Sequence, residues 1–163
     1  MIKERLQKEL NDSLKLGNHL KRSVLGMVIT AIKNREVEKR TRLSRTVTNV
    51  EELEKLGQLS DEETIEVISG EVKKRKESVE QFTAGGRNEL AQKERLEIDI
   101  LMSYLPEQMP ENAIRAEIQK IIAELGASGP KDMGRVIGSV MAKLKGQADG
   151  GTVSKITKEL LAQ

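Results

Sequence analysis

Residues 59–106 read LSDEETIEVISGEVKKRKESVEQFTAGGRNELAQKERLEIDILMSYLP. Ser60 ahead of Asp61, Glu62 and Glu63 is the capping-box arrangement, in which serine oxygen and glutamate carboxylate each accept a backbone N–H of the other residue. Behind that start, Ile65, Ile68, Val72, Arg75, Val79 and Phe82 step by 3, 4, 3, 4 and 3, which lays one seam along a helix. Gly85-Gly86 stops it. Ala91, Glu94, Ile98, Leu101 and Leu105 then step by 3, 4, 3 and 4, and Pro106 ends the second helix. Two long helices joined by two glycines predict an antiparallel hairpin. Each seam carries one charge, so Arg75 and Glu94 are expected to pair across it. Glu97 and Asp99 flank Ile98 and point apart on a helix, which predicts a solvated face and no acid–base dyad.

Upstream of the hairpin, Ile2, Leu6, Leu10 and Leu14 recur every four residues and predict a first helix stopped at Gly17. Asn18 is then the expected N-cap of a second helix. Its apolar arc, from Leu20 through Val24, Leu25, Val28 and Ile32, is wide enough to make it the most buried helix. Gly26 within it is expected to admit a close helix neighbour. Residues 41–59 lose periodicity and predict a mobile loop, with a short helix through Glu51–Lys55.

Downstream, Pro106 and Pro110 bracket a boundary between an N-terminal helical domain, 1–105, and a C-terminal domain, 110–163. The latter predicts three short helices. Ala113 to Leu125 ends at Gly126, Met133 to Leu144 ends at Gly146, and Thr152 caps the last. The fold class is all-α.

Composition narrows function. The 163 residues contain no Cys, no Trp and one His, which removes disulfides, thiolate chemistry and Cys-bearing metal sites and argues against Ser-His-Asp triads. Phe82 and Tyr104 are the only aromatics, too few for a base-stacking platform. No apolar run approaches the ~18 residues of a membrane span. Met1 to Arg5 lacks a following apolar segment, so a cytoplasmic protein is expected. Net charge is 28 − 26 = +2, but it is distributed unevenly. Residues 1–46 hold 12 basic and 5 acidic side chains, and residues 47–70 hold 1 and 7. The basic run Lys33 to Arg45 can attract phosphates. Because it leads into an aperiodic segment, its charges are expected to lack a fixed array and so to bind without selecting a shape. Thr83 to Arg87 has neither the spacing nor the preceding strand of a phosphate loop.

Several segments together resemble the GatB/YqeY family. They are Glu71 to Arg75 through Phe82, Gly86 to Leu90 with Glu94, Tyr104-Leu105-Pro106, Lys131 to Val136 with Gly138, Val140 and Met141, and the Gly146 to Gly150 turn. Asn18 stands where the family usually has an acidic residue, and it caps a helix as well. The resemblance implies a helical N-terminal domain and a three-helix C-terminal domain similar to the tail of GatB, a component of the glutamine-dependent aspartyl/glutamyl-tRNA amidotransferase. The expected function is a non-catalytic tRNA-interacting module, with no cofactor, metal site or catalytic residue. Its expected RNA contacts are Lys131, Arg135, Lys143, Lys145, Gly150, Gly151, Lys155 and Lys158. The carbon–nitrogen ligase label of the family, with glutamine as amido-N-donor, is expected to come by association. A helical adaptor for a tRNA synthetase or an amidotransferase subunit is the alternative, and an amide-transferring enzyme the weaker one. The three differ in salt-dependent tRNA binding, a salt-stable protein complex, and glutamine-dependent turnover.

Overall fold

The computed structural model describes residues 1–162. They fold into eight α-helices and one 3-10 turn, and no strand occurs among them. The chain divides into two compact units, Met1–Tyr104 and Leu105–Gln163.

The first unit contains α1 (Ile2–Lys15), α2 (His19–Leu43), α3 (Val50–Gly57), α4 (Asp61–Ala84) and α5 (Asn88–Met102). The Asn18 side chain accepts the N–H of Lys21 at 3.0 Å, so α2 begins where the sequence places its cap. Both halves of the capping box at Ser60 and Glu63 are formed. Gly86 ends the α4 turn at φ +70°, a conformation that costs glycine nothing. Val24, Leu25, Val28 and Ile32 of α2 are fully buried with Leu6, Ile68 and Leu101, which makes α2 the central helix of the unit.

Expectations at three places are corrected here. The expected pair Arg75–Glu94 does not form. Arg75 Nε donates to Glu97 Oε2 at 3.0 Å, and its Nη1 donates to Glu71 Oε2 at 2.9 Å. Glu97 is therefore buried, not solvated. The loop expected over 41–59 is shorter than that, while the short helix expected through Glu51–Lys55 is present and runs further at both ends. α2 runs on to Leu43, and α3 occupies Val50–Gly57, with the Asn49 side chain capping it. The continuation lacks apolar periodicity because side-chain anchors hold it. Glu36 Oε1 accepts the N–H of Leu59 at 3.1 Å, and Lys39 Nζ donates to Gln58 O at 2.9 Å and to Glu63 Oε2 at 2.7 Å. The Arg40 stem lies in the space that a Cβ at Gly57 would fill. Third, Gly26 admits no neighbouring helix, for a Cβ there would meet nothing within 4 Å.

A polar network closes the unit. Glu9 Oε2 accepts from Lys21 Nζ at 2.6 Å and from the Tyr104 hydroxyl at 2.6 Å, and Glu9 Oε1 accepts from Arg5 Nε at 2.8 Å. The Arg5 guanidinium also sits 4.7 Å from the Tyr104 ring centroid. The Lys21 hydrogen bond, then that of Tyr104, holds the Glu9 carboxyl down at about 2, while burial and the bond to Glu9 push the Tyr104 hydroxyl up. A carboxylate whose folded pKa lies below its unfolded value stabilises above the unfolded pKa and loses that contribution as pH falls. Glu9→Gln should therefore flatten the fall in stability between pH 4.5 and about 2. Denaturant titrations across that range check it, and an unchanged slope would refute the assignment.

The second unit packs α6 (Glu111–Leu125), α7 (Met133–Lys143) and α8 (Gly150–Leu161) around Ile118, Val136, Val140, Val153 and Ile156, all fully buried. A 3-10 turn at Pro130–Asp132 leads into α7. Gly126 takes φ +61° and closes α6 as a left-handed cap. The cap of α8 is Asp149, not Thr152: the Asp149 side chain accepts the N–H of Thr152 at 3.1 Å.

Candidate nucleic-acid interface

The expected RNA contacts all lie in the second unit, but they occupy different physical situations. Arg135, on the first turns of α7, donates from Nη2 to Leu125 O at 3.0 Å and pairs with Asp132 at 3.1 Å. Leu125 O is one of the carbonyls that a helix end leaves without an intrahelical partner, so Arg135 caps α6. Lys143, at the end of α7, lies 2.5 Å from Glu117 Oε1 of α6. That bond keeps the Glu117 carboxyl below and the Lys143 amine above its ordinary range. Lys145 also has a partner within the chain. Arg135 and Lys143 thus spend their charge in holding helices together.

Gly150 and Gly151 are not part of an open turn. They form the first turn of α8, with the Asp149 carboxylate beside them: a Cβ on Gly151 would lie 3.2 Å from its Oδ2. The turn before them is fastened from behind, since Gln147 O accepts the N–H of Met109 at 2.8 Å and Gly146 O accepts from Gln108 Nε2 at 2.5 Å.

Lys131, Lys155 and Lys158 differ from these. All three are exposed, and none forms an ion pair within 4 Å among the described residues, although Lys155 is close enough to Glu159 to help hold its carboxyl down. Lys155 and Lys158 stand three residues apart on α8, whose inner face buries Val153, Ile156 and Leu161. Residues three apart on a helix are surface neighbours, so these two amines form a positioned pair of cations.

The basic run of the first unit is also positioned, contrary to the sequence expectation. Lys33 to Arg42 ride on one continuous helix, with Lys39 and Arg40 seated against residues 57–63. The missing signal was hydrophilic: the anchors of this segment are ion pairs and backbone contacts, which periodicity does not display. Between α2 and α4 run two depressions. One, of about 510 Å³, is lined by Arg35, Lys39, Arg42 and Lys74 against Glu38, Glu63, Glu66 and Glu71, so its charges balance. The other, of about 820 Å³, contains Arg22 and Lys74 with Glu71 as its one carboxylate. That carboxylate is already shared between Lys74 at 2.7 Å and Arg75 at 2.9 Å.

Among the described residues, no cluster of three or more His, Asp or Glu side chains is arranged to hold a metal ion. No helix of theirs is long and apolar enough to cross a membrane.

A family model described as Yqey-like protein matches residues 3–161. Curated relatives are named altered inheritance of mitochondria protein 41, mitochondrial. That of Pyrenophora tritici-repentis is 31% identical over 105 residues, covering 63% of this chain and 58% of the relative. That of Lachancea thermotolerans is 26% identical over 129 residues, covering 77% and 60%. The Candida glabrata protein is 23% identical over 128 residues, covering 77% and 62%. The chain thus spans about 60% of the length of the curated relatives it matches.

Proposed function

Since this chain belongs to the YqeY family, we propose that it is a non-catalytic, cytoplasmic tRNA-interacting module akin to the GatB tail of the amidotransferase. The observation that carries this reading is the pair Lys155 and Lys158, exposed, without an ion pair among the described residues and held on a helix with a buried inner face. Fixed cations separated by one helical turn can each neutralise a backbone phosphate, and releasing counterions from those phosphates drives association. Lys131 adds a third such cation at the entry to α7. Arg135 and Lys143, themselves exposed, link α7 to α6 on the same unit.

The test is tRNA binding by the full chain across a salt series, with total RNA as competitor. Wild type should bind tRNA with a steep salt slope. Lys155→Gln with Lys158→Gln should lower that slope by about 2, close to one unit per lost phosphate contact. No tRNA binding at low salt would overturn the reading. A salt-stable complex with a tRNA synthetase or amidotransferase subunit, without tRNA binding, would replace it with the adaptor reading. Glutamine-dependent amide transfer by the purified chain would replace it with an enzyme.

A further inference from the structure

The larger depression of the first unit has features that its own packing does not require. Gly26 lies in the interior of α2, where glycine destabilises a helix relative to alanine, yet nothing within the chain comes within 4 Å of the position its Cβ would take. The backbone there is left open to an outside group. Met27 beside it is 44% exposed, although it lies one position before the fully buried Val28. Its sulfur accepts from Arg75 Nη2 at 3.9 Å, so the side chain is held in place as an apolar floor. Arg22 borders this floor and Lys33 lies outside the depression on the same helix, both exposed and without an ion pair among the described residues. Arg22 lines the depression, and Lys33 lies eleven residues further along α2. Eleven residues are about three helical turns, so the two cations share one side of α2 about 16 Å apart. Ser23 and Asn34 line the same depression, and their side chains make no hydrogen bond among the described residues. The single carboxylate, Glu71, is neutralised by Lys74 and Arg75.

An open apolar floor, free hydroxyl and amide groups, and a cationic edge with no free carboxylate of its own suit a short run of unpaired nucleotides, held here by apolar contact and hydrogen bonds without an aromatic stack. The bases are apolar on their faces and hydrogen-bonding on their edges, and the backbone carries a phosphate at every step. A paired duplex hides those faces and edges. We propose that this depression binds an unpaired segment of the RNA, with Arg22 and Lys33 on backbone phosphates, Met27 under a base and Asn34 on a base edge. The proposal rests on the RNA-binding reading above and adds to it a second site, specific for unpaired strand.

The probes are a single-stranded RNA hexanucleotide, a blunt RNA duplex and tRNA, each bound to the full chain across a salt series. Arg22→Gln with Lys33→Gln should weaken hexanucleotide binding about tenfold at low salt and lower its salt slope by about 1.4, two phosphates at about 0.7 each for a single strand. Duplex binding should stay within about twofold. Met27→Ala should weaken hexanucleotide binding with no change in slope, because no charge is lost. These substitutions lie on an exposed face, and an unchanged helical circular dichroism spectrum verifies that the variants fold. If the hexanucleotide binds both variants as it binds wild type while tRNA still binds, this site is refuted and the module reading stands. Equal losses on hexanucleotide and duplex would also refute it, as plain charge attraction. If wild type binds none of the three probes, both readings fall.

Discussion

Replacing Glu97 with Ala is expected to lower the stability of the first unit by ~3–5 kcal/mol, the range for removing one partner of a buried ion pair. The Arg75 and Glu97 side chains are 8% and 6% exposed and bond at 3.0 Å. Without Glu97, the guanidinium keeps Glu71 and the Met27 sulfur but loses the partner that neutralises it from α5. The remaining Glu71 contact sets the lower end of the range. Glu94→Ala is the control: Glu94 is half-buried and forms no ion pair among the described residues, so its loss should cost under about 1 kcal/mol. Denaturant unfolding of both variants, with Arg75→Ala and the double variant completing a cycle, separates pairing from packing. Equal losses for Glu97→Ala and Glu94→Ala would mean that the pair has no energetic weight.

Ile118→Ala should be the most damaging single change in the second unit. Ile118 is fully buried at the meeting of α6 with the residues of α7 and α8. Truncating a buried Ile to Ala costs ~2–5 kcal/mol in transfer and cavity terms. A unit of 163 − 104 = 59 residues has only about 3–9 kcal/mol of stability at the usual per-residue range. The substitution should therefore consume most of it. Methyl NMR reads each unit separately. The signals of Val136, Val140 and Ile156 should lose dispersion or unfold at lower temperature, while those of Val24, Val28 and Leu6 hold. A second-unit transition within about 1 kcal/mol of wild type would contradict the central place given to Ile118. The same variant should lose the tRNA affinity assigned to Lys155 and Lys158, since α8 would no longer be fixed.

The helix hairpin was legible because capping box, seam and double glycine agree with one another, and such agreement across levels is what specifies a fold. The partner of Arg75 was misread for a geometric reason. The turn centre lies between Gly85 and Gly86, ten to eleven residues beyond Arg75. The same distance past the turn reaches residue 96, next to Glu97 and beyond Glu94. The heptad pattern offered Glu94 as the conspicuous exception, but chain length from the turn decides what faces what. Glu71 carried a signal too, four residues before Arg75 on the same helix face. The end of α2 was invisible for a different reason, for its anchors are Glu36, Lys39 and Arg40, and polar residues in such a stretch look the same in a loop. On the candidate surface, the sequence identified the basic residues but could not separate those occupied in ion pairs, Arg135 and Lys143, from those without one, Lys131, Lys155 and Lys158. That distinction depends on Glu117 and Leu125, which lie in a different helix.

The seating of Glu36, Lys39 and Arg40 on residues 57–63 has a consequence for how this chain tolerates change. The end of α2 and the start of α4 are joined directly by these contacts. Residues 44–49 between α2 and α3 therefore carry no duty in fixing the two helices relative to each other. A connection whose ends are anchored independently can be lengthened at little expense, since each doubling of a flexible loop adds only about 0.6 kcal/mol of closure entropy. Length variation and a grafted epitope or fluorophore belong at Arg45 to Thr48, four exposed or half-exposed positions where the molecule accepts extra chain without reading it as damage.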